Sequence, residues 1–280
     1  MNVTSRSRLW LALVPAAAWL TLFFLLPLLI IVVISLLKAG APVAWTLDGS
    51  SYARLLDPLH AIVFLRSFAL ALAATLLCLL IGYPLAYFIA RRPPRTRRLL
   101  YFMVLVPLWA NSLVLIYAWM VLLRPNGVLH QLLLWLGVGG ESLNLLYTPG
   151  AVLVGLVYWY LPFMVYPLYA SLEKFDFALL DAAHDLGASR TTAFRRILWP
   201  LTLPGAATGC LLVFVESLGA FVVPDLLGGA KSMMLGNLIQ QRFLSIPQDW
   251  PLGAAVAVTL LLAMGFALTM YFRLQRARQS

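Results

Sequence analysis

LWLALVPAAAWLTLFFLLPLLIIVVISLL, residues 9–37, runs for 29 residues without a charge. A helix needs ~20 apolar residues to cross ~30 Å of hydrocarbon, so this stretch reads as a membrane span. Five more charge-free windows follow, at 67–90, 99–123, 142–172, 197–215 and 250–272. The strands of an outer-membrane barrel would be about half as long and would alternate in polarity. The whole chain agrees: 62% of its 280 residues are hydrophobic and 11% charged, against roughly 45–50% and 25% in a soluble domain. That composition excludes a soluble enzyme, a disordered chain and a disulfide-rich secreted scaffold.

The expected fold is all-α and polytopic, a single transmembrane domain over 1–280 with spans near 9–37, 63–90, 99–123, 147–171, 201–226 and 250–272. The stretches 38–62, 124–146 and 227–249 are rich in Gly, Pro, Asn and Asp and read as outer loops. Trp45, Tyr101, Tyr147, Trp199, Trp250 and Tyr271 sit near span ends, where amphipathic rings favour the headgroup level. The apolar run behind Arg6 and Arg8 far exceeds the 7–15-residue core of a signal peptide and reads as a retained first helix.

Charge gives orientation. Of the 20 Lys and Arg residues, 14 fall in the segments that are inner if the N-terminus is inside, and 6 in the outer ones. The positive-inside rule puts both termini in the cytoplasm. The cluster Arg91, Arg92, Arg95, Arg97 and Arg98 is short, broken by Pro93 and Pro94, and pinned between two spans; it suits anionic lipid rather than nucleic acid. Cys78 and Cys210 fall inside spans, while His60, His130 and His184 read as scattered in loops. None of these has metal-ligand spacing, so no metal or other cofactor is expected on this chain.

One inner segment is long. Within 172–199, Leu179, Ala182, Ala183 and Leu186 share helical spacing, while Asp176, Asp181 and Asp185 take other faces. A short amphipathic helix is expected at about 176–186, closed by Gly187. Ser189 can cap a second short helix carrying Arg190, Arg195 and Arg196, with Pro200 and Pro204 bracketing the next span. A helix that merely lies on lipid usually keeps Lys and Arg on its polar face. This one is acidic, with small alanines, and suits docking of a cytoplasmic protein.

Asp181-Ala182-Ala183, Gly187, Ile197 and Pro200 follow the spacing of the Glu-Ala-Ala loop of permease subunits of ATP-binding-cassette (ABC) importers, which this chain resembles. Asp181 stands for the Glu of that pattern and Trp199 for its Leu. YLPFMVYPLYASLEKFD (160–176), DLGAS (185–189) and LLGGAKSMMLGNLIQQRFLSIPQDWPLGAA (226–255) are similar to the spermidine/putrescine type within that family. The resemblance implies a bacterial inner-membrane importer. Its second homologous permease, two cytoplasmic ABC ATPases and an external solute-binding protein would be this chain's partners. ATP and Mg would sit on the ATPases, none on this chain, which would not itself be an enzyme. Asp181, Ala182, Ala183, His184, Asp185, Leu186, Gly187, Ala188 and Ser189 would form the coupling element that the ATPases push. The chain has no phosphate-binding loop of its own: in GGAKS, 228–232, Ala230 stands where Gly must precede the Lys.

Cargo chemistry is read from polar groups in the spans. Glu216 costs roughly 2–3 kcal/mol at mid-span unless it meets water, a partner or cargo. Asp225 reads as lying further along the same span, and two carboxylates on one helix suit a diamine or polyamine. No Lys or Arg occupies a span core, which disfavours an anion route. Tyr158, Trp159 and Tyr160, and Trp109 with Asn111, are candidate pathway groups, since a ring over an ammonium gains ~0.5–2 kcal/mol. Packing alone also accounts for such rings, as it does for Gly205 and Gly209, a small-xxx-small pair. Other cargo (another organic amine, iron, phosphonate) and a self-sufficient channel or proton-coupled carrier stand as alternatives. A membrane enzyme lacks any converging catalytic set.

Overall fold

The computed structural model describes residues 13–38, 44–137 and 144–279. Arg6 and Arg8, and the side chains of Trp45, Arg276 and Arg278, lie outside that description. Among the described residues, six helical segments are long and apolar enough to cross a membrane: Leu13–Ser35, Pro58–Ala90, Ser112–Trp135, Pro149–Glu173, Arg190–Gly219 and Trp250–Arg273. The chain divides into two compact units, one built from residues up to Ala61 with Leu238–Leu262, the other from Ile62–Asn237 with the residues from Ala263 onward.

The first unit begins with α1 (Leu13–Ser35), none of whose most apolar window is buried. A helix apolar on every side and bare of protein is one solvated by lipid or by another chain. It runs into an antiparallel pair, β1 (Leu37–Lys38) and β2 (Ala44–Leu47). Asp48 then accepts from the amide and hydroxyl of Ser50 at 3.0 and 2.8 Å, which launches α2 (Ser50–Leu55). Those two donors hold the Asp48 carboxyl below its ordinary value. Tyr52 returns to Ser35 through hydroxyls 2.8 Å apart. Arg54 pairs with Asp249, whose other oxygen accepts from the amide of Leu252 at 3.3 Å, at the start of the last helix, α11 (Trp250–Gln279).

The second unit contains most of α3 (Pro58–Ala90), then α4 (Pro94–Trp109), α5 (Ser112–Leu123), α6 (Val128–Trp135), α7 (Pro149–Glu173), α8 (Ala178–Asp185), α9 (Arg190–Gly219) and the start of α10 (Leu235–Leu244). Its core is the seam of α7 with α9. Gly205 and Gly209 allow that approach: a Cβ on Gly209 would stand 2.7 Å from the Met164 sulfur. Met164 also faces Gly82 of α3, so three helices meet at one fully buried side chain. Hence the small-xxx-small pair serves packing.

Several expectations are corrected. The run 99–123 is not one helix: the chain is extended at Ala110 and restarts at Ser112, after Pro107 has removed a backbone donor. The fifth span does not run 201–226. It begins at Arg190, passes both Pro200 and Pro204 unbroken, and stops at Gly219. The missing donor of Pro200 is accommodated because the helix widens into a π-turn at Phe194–Leu198 just before it. There is accordingly no separate second helix after Ser189. The stretch 227–249, expected as a loop, carries α10, and α6 falls within the apolar segment Ser112–Trp135 rather than in the loop expected at 124–146. The three histidines lie in helices: His60 in α3, His130 in α6 and His184 in α8.

Candidate functional site

Two places gather the residues singled out by the sequence. The first is α8. Asp176 accepts from the amide of Ala178 at 3.0 Å and opens the helix. At its end the amide of Gly187 donates to the His184 carbonyl, and that of Ala188 to the Ala183 carbonyl, each at 2.9 Å. This is the Schellman closure, and it places Gly187 at φ +84, where a side chain would strain the backbone. Ser189 Oγ accepts from the Thr192 amide at 3.2 Å and caps α9. Gly187 and Ser189 thus shape the turn that joins α8 to α9.

Which face α8 presents differs from the expectation. Leu180 and Ala183 are buried against the protein's own core. Leu179, Asp181, Ala182, His184, Asp185 and Leu186 are exposed, Leu186 at 89%. Ala183 is therefore a packing residue. The exposed face combines an apolar stripe, Leu179–Ala182–Leu186, with two carboxylates.

The second place is a cavity of about 440 Å³ beside the end of α9. Glu216 lines it together with Trp159 and Tyr160 of α7, and among the described residues no Lys, Arg or His takes part. Tyr160 is 6% exposed, and its hydroxyl donates to the backbone carbonyl of Glu216 at 3.0 Å. That bond secures the last turn of α9 to α7 and leaves the exposed Glu216 carboxylate free to face the cavity. A carboxylate, two rings and the negative end of a helix make an environment for a cation.

The remaining candidates are placed elsewhere. Tyr158 packs edge-on against Trp119, with centroids 5.4 Å apart. Trp109 is 74% exposed and meets Phe102. Asn111 caps α5, accepting from the Leu113 amide at 2.9 Å. Asp225 is not on the helix of Glu216: α9 ends at Gly219, Ala220 is extended, and Asp225 lies in a separate π-turn, Pro224–Gly228. Neither Asp225 nor these three lines the cavity. Ser112, Phe221 and Met264 do line it and escaped the sequence reading. A break of the chain at Ala220 turns Phe221 toward it, and Pro224 was the only nearby sign of that break.

The chain belongs to the family of binding-protein-dependent transport system inner membrane components, whose model matches residues 82–279. It is thus a multi-pass membrane protein of a transport system. It is 49% identical over 268 residues to the spermidine/putrescine transport system permease protein PotB of Salmonella typhimurium strain LT2, covering 94% of this chain and 92% of that one. It is 48% identical to the protein of the same name from Escherichia coli K12, covering 94% and 96%. In fold it is similar to a chain in the crystal structure of a bacterial alginate ABC transporter complexed with a pentasaccharide-bound periplasmic protein, with TM-score 0.74, 18% identity and coverage of 97% and 96%.

Proposed function

We propose that this chain is the membrane-spanning subunit of an ABC importer for spermidine, putrescine or a close polyamine, working beside a second permease and driven by two cytoplasmic ATPases. The observation that carries the reading is the cavity in which Glu216, Trp159 and Tyr160 converge with no basic side chain. An alkyl ammonium pairs with the carboxylate and lies over the rings, while its methylenes suit the apolar lining. Identity along nearly the whole length to proteins named as polyamine permeases supports the same cargo. The exposed acidic and apolar face of α8 supports its role as the coupling helix, seated in an ATPase groove on the cytoplasmic side. An external binding protein delivers the polyamine to the other side, and the 14-to-6 bias of basic residues supports cytoplasmic termini.

The test uses the complex of permeases and ATPases in proteoliposomes. Glu216→Gln lowers spermidine uptake at least tenfold at limiting substrate, about 1.4 kcal/mol, while the ATPases still copurify. Unchanged uptake would remove Glu216 from the route. Uptake by this chain without ATPases would favour the self-sufficient carrier.

A further inference from the structure

A second cavity, about 800 Å³, opens where the C-terminal part of α3 meets α8 and the start of α9. Its polar end carries Arg91, Arg190 and His184, opposed by Asp181 alone among acids. Tyr83, Pro84 and Phe194 line it and also line an adjoining cavity of about 320 Å³, otherwise walled by Leu76, Leu79, Leu80 and Trp199. The two adjoin across these three side chains and together make an amphipathic groove, an apolar limb beside a cationic basin.

The dimensions match one leaflet. Leu76 and Arg91 are 15 residues apart, nearly all of them in α3, a rise of roughly 22 Å at 1.5 Å per residue. Half of a bilayer including headgroups is ~20–22 Å. The basin offers basic groups that a phosphate can meet. Arg91 is held by the Tyr87 hydroxyl at 3.0 Å, with its guanidinium 5.6 Å from the ring centroids of Tyr87 and Phe177. Neither Arg91 nor Arg190 enters the two ion pairs among the described residues, Arg54–Asp249 and Arg97–Glu173. Guanidinium forks bind phosphate oxygens bidentately, and two of them against one carboxylate leave the basin net positive.

We propose that this groove holds one anionic glycerophospholipid of the leaflet on the α8 side, its phosphate between Arg91 and Arg190 and an acyl chain along Leu76–Leu80. Because the basin is walled by Leu180, Asp181 and His184 of α8, the lipid is a structural neighbour of that helix. The site stands whatever solute the importer carries.

The experiment is native mass spectrometry of the detergent-purified complex after exchange into phosphatidylglycerol or phosphatidylcholine. We expect one tightly held phosphatidylglycerol per copy of this chain, and at least tenfold weaker retention of phosphatidylcholine. Arg91→Ala with Arg190→Ala lowers phosphatidylglycerol retention at least tenfold. Arg95→Ala with Arg98→Ala, which removes equal charge outside the groove, does not. Leu80→Trp fills the apolar limb and lowers retention with both arginines present, which keeps the test decisive if the double variant assembles badly. Equal retention of the two lipids, equal loss in both arginine pairs, or displacement of phosphatidylglycerol by inorganic phosphate would overturn the proposal. So would crosslinking of Leu80→Cys to a helix of the second permease in the intact complex.

Discussion

A Cβ built on Gly205 of α9 would stand 2.5 Å from the Cβ of Ser171 and 2.6 Å from the Pro167 carbonyl oxygen, both on α7. Backbone cannot yield as a flexible side chain can. Gly205→Ala should therefore cost about 1–3 kcal/mol by overpacking, despite the helix preference for alanine. Gly265, in α11, has nothing within 4 Å of its added Cβ, so Gly265→Ala should leave stability unchanged or raise it by up to ~1 kcal/mol. Thermal unfolding of the two variants in one detergent compares them; equal shifts would refute the packing account.

Tyr83 and Thr202 join α3 to α9 through buried hydroxyls 2.8 Å apart. Thr202 has one proton and spends it on the Leu198 carbonyl at 2.7 Å, so Tyr83 is the donor. Tyr83→Phe should cost ~0.6–1 kcal/mol. Thr202→Val should cost no more when added to Tyr83→Phe than its own lost bond, and a double-mutant cycle of unfolding free energies checks the coupling.

Arg97 meets Glu173 at 3.2 Å, and Glu173 also accepts from the Tyr169 hydroxyl at 3.0 Å, at the end of α7. Both charged side chains are partly exposed, at 28% and 42%. Glu173→Gln should lower unfolding free energy by less than ~1 kcal/mol, and added salt should shrink the difference. A larger, salt-independent loss would mean the carboxylate is more deeply engaged.

On α8, exposure separates docking from packing. Leu186→Glu should leave detergent melting unchanged, because the side chain touches little of its own chain, yet reduce ATPase copurification at least tenfold. Ala183→Leu should destabilise the chain itself by about 1–3 kcal/mol, since Ala183 is 8% exposed against the core. Pull-down alongside thermal melts reads both; identical behaviour of the variants would contradict the face assignment.

The membrane class was legible because a charge-free run of twenty or more residues has few other homes. The breaks inside those runs were harder to see. Ala110 and Ala220 interrupt helices within apolar sequence, where hydropathy is constant and only Pro107, Asn111 and Pro224 hint at a change. The site was half visible for a geometric reason. Successive helical residues point about 100° apart, so Tyr158, Trp159 and Tyr160 could not all face one cavity. The structure turns the last two toward Glu216 and the first toward Trp119. Spacing likewise identified the apolar positions of α8 but not which of them the protein keeps for itself.

The unbroken passage of α9 through two prolines has a mechanical meaning. Arg190 borders the basin beside α8, and Glu216 borders the other cavity. The 26 helical steps from one to the other make a strut of roughly 39 Å. Pivoted at its charged foot, such a strut needs a lean of only about 10° to swing its carboxylate sideways by roughly 7 Å, more than the width of an ammonium ion. A small displacement at the Arg190 end of α9 thereby corresponds to a larger one at Glu216.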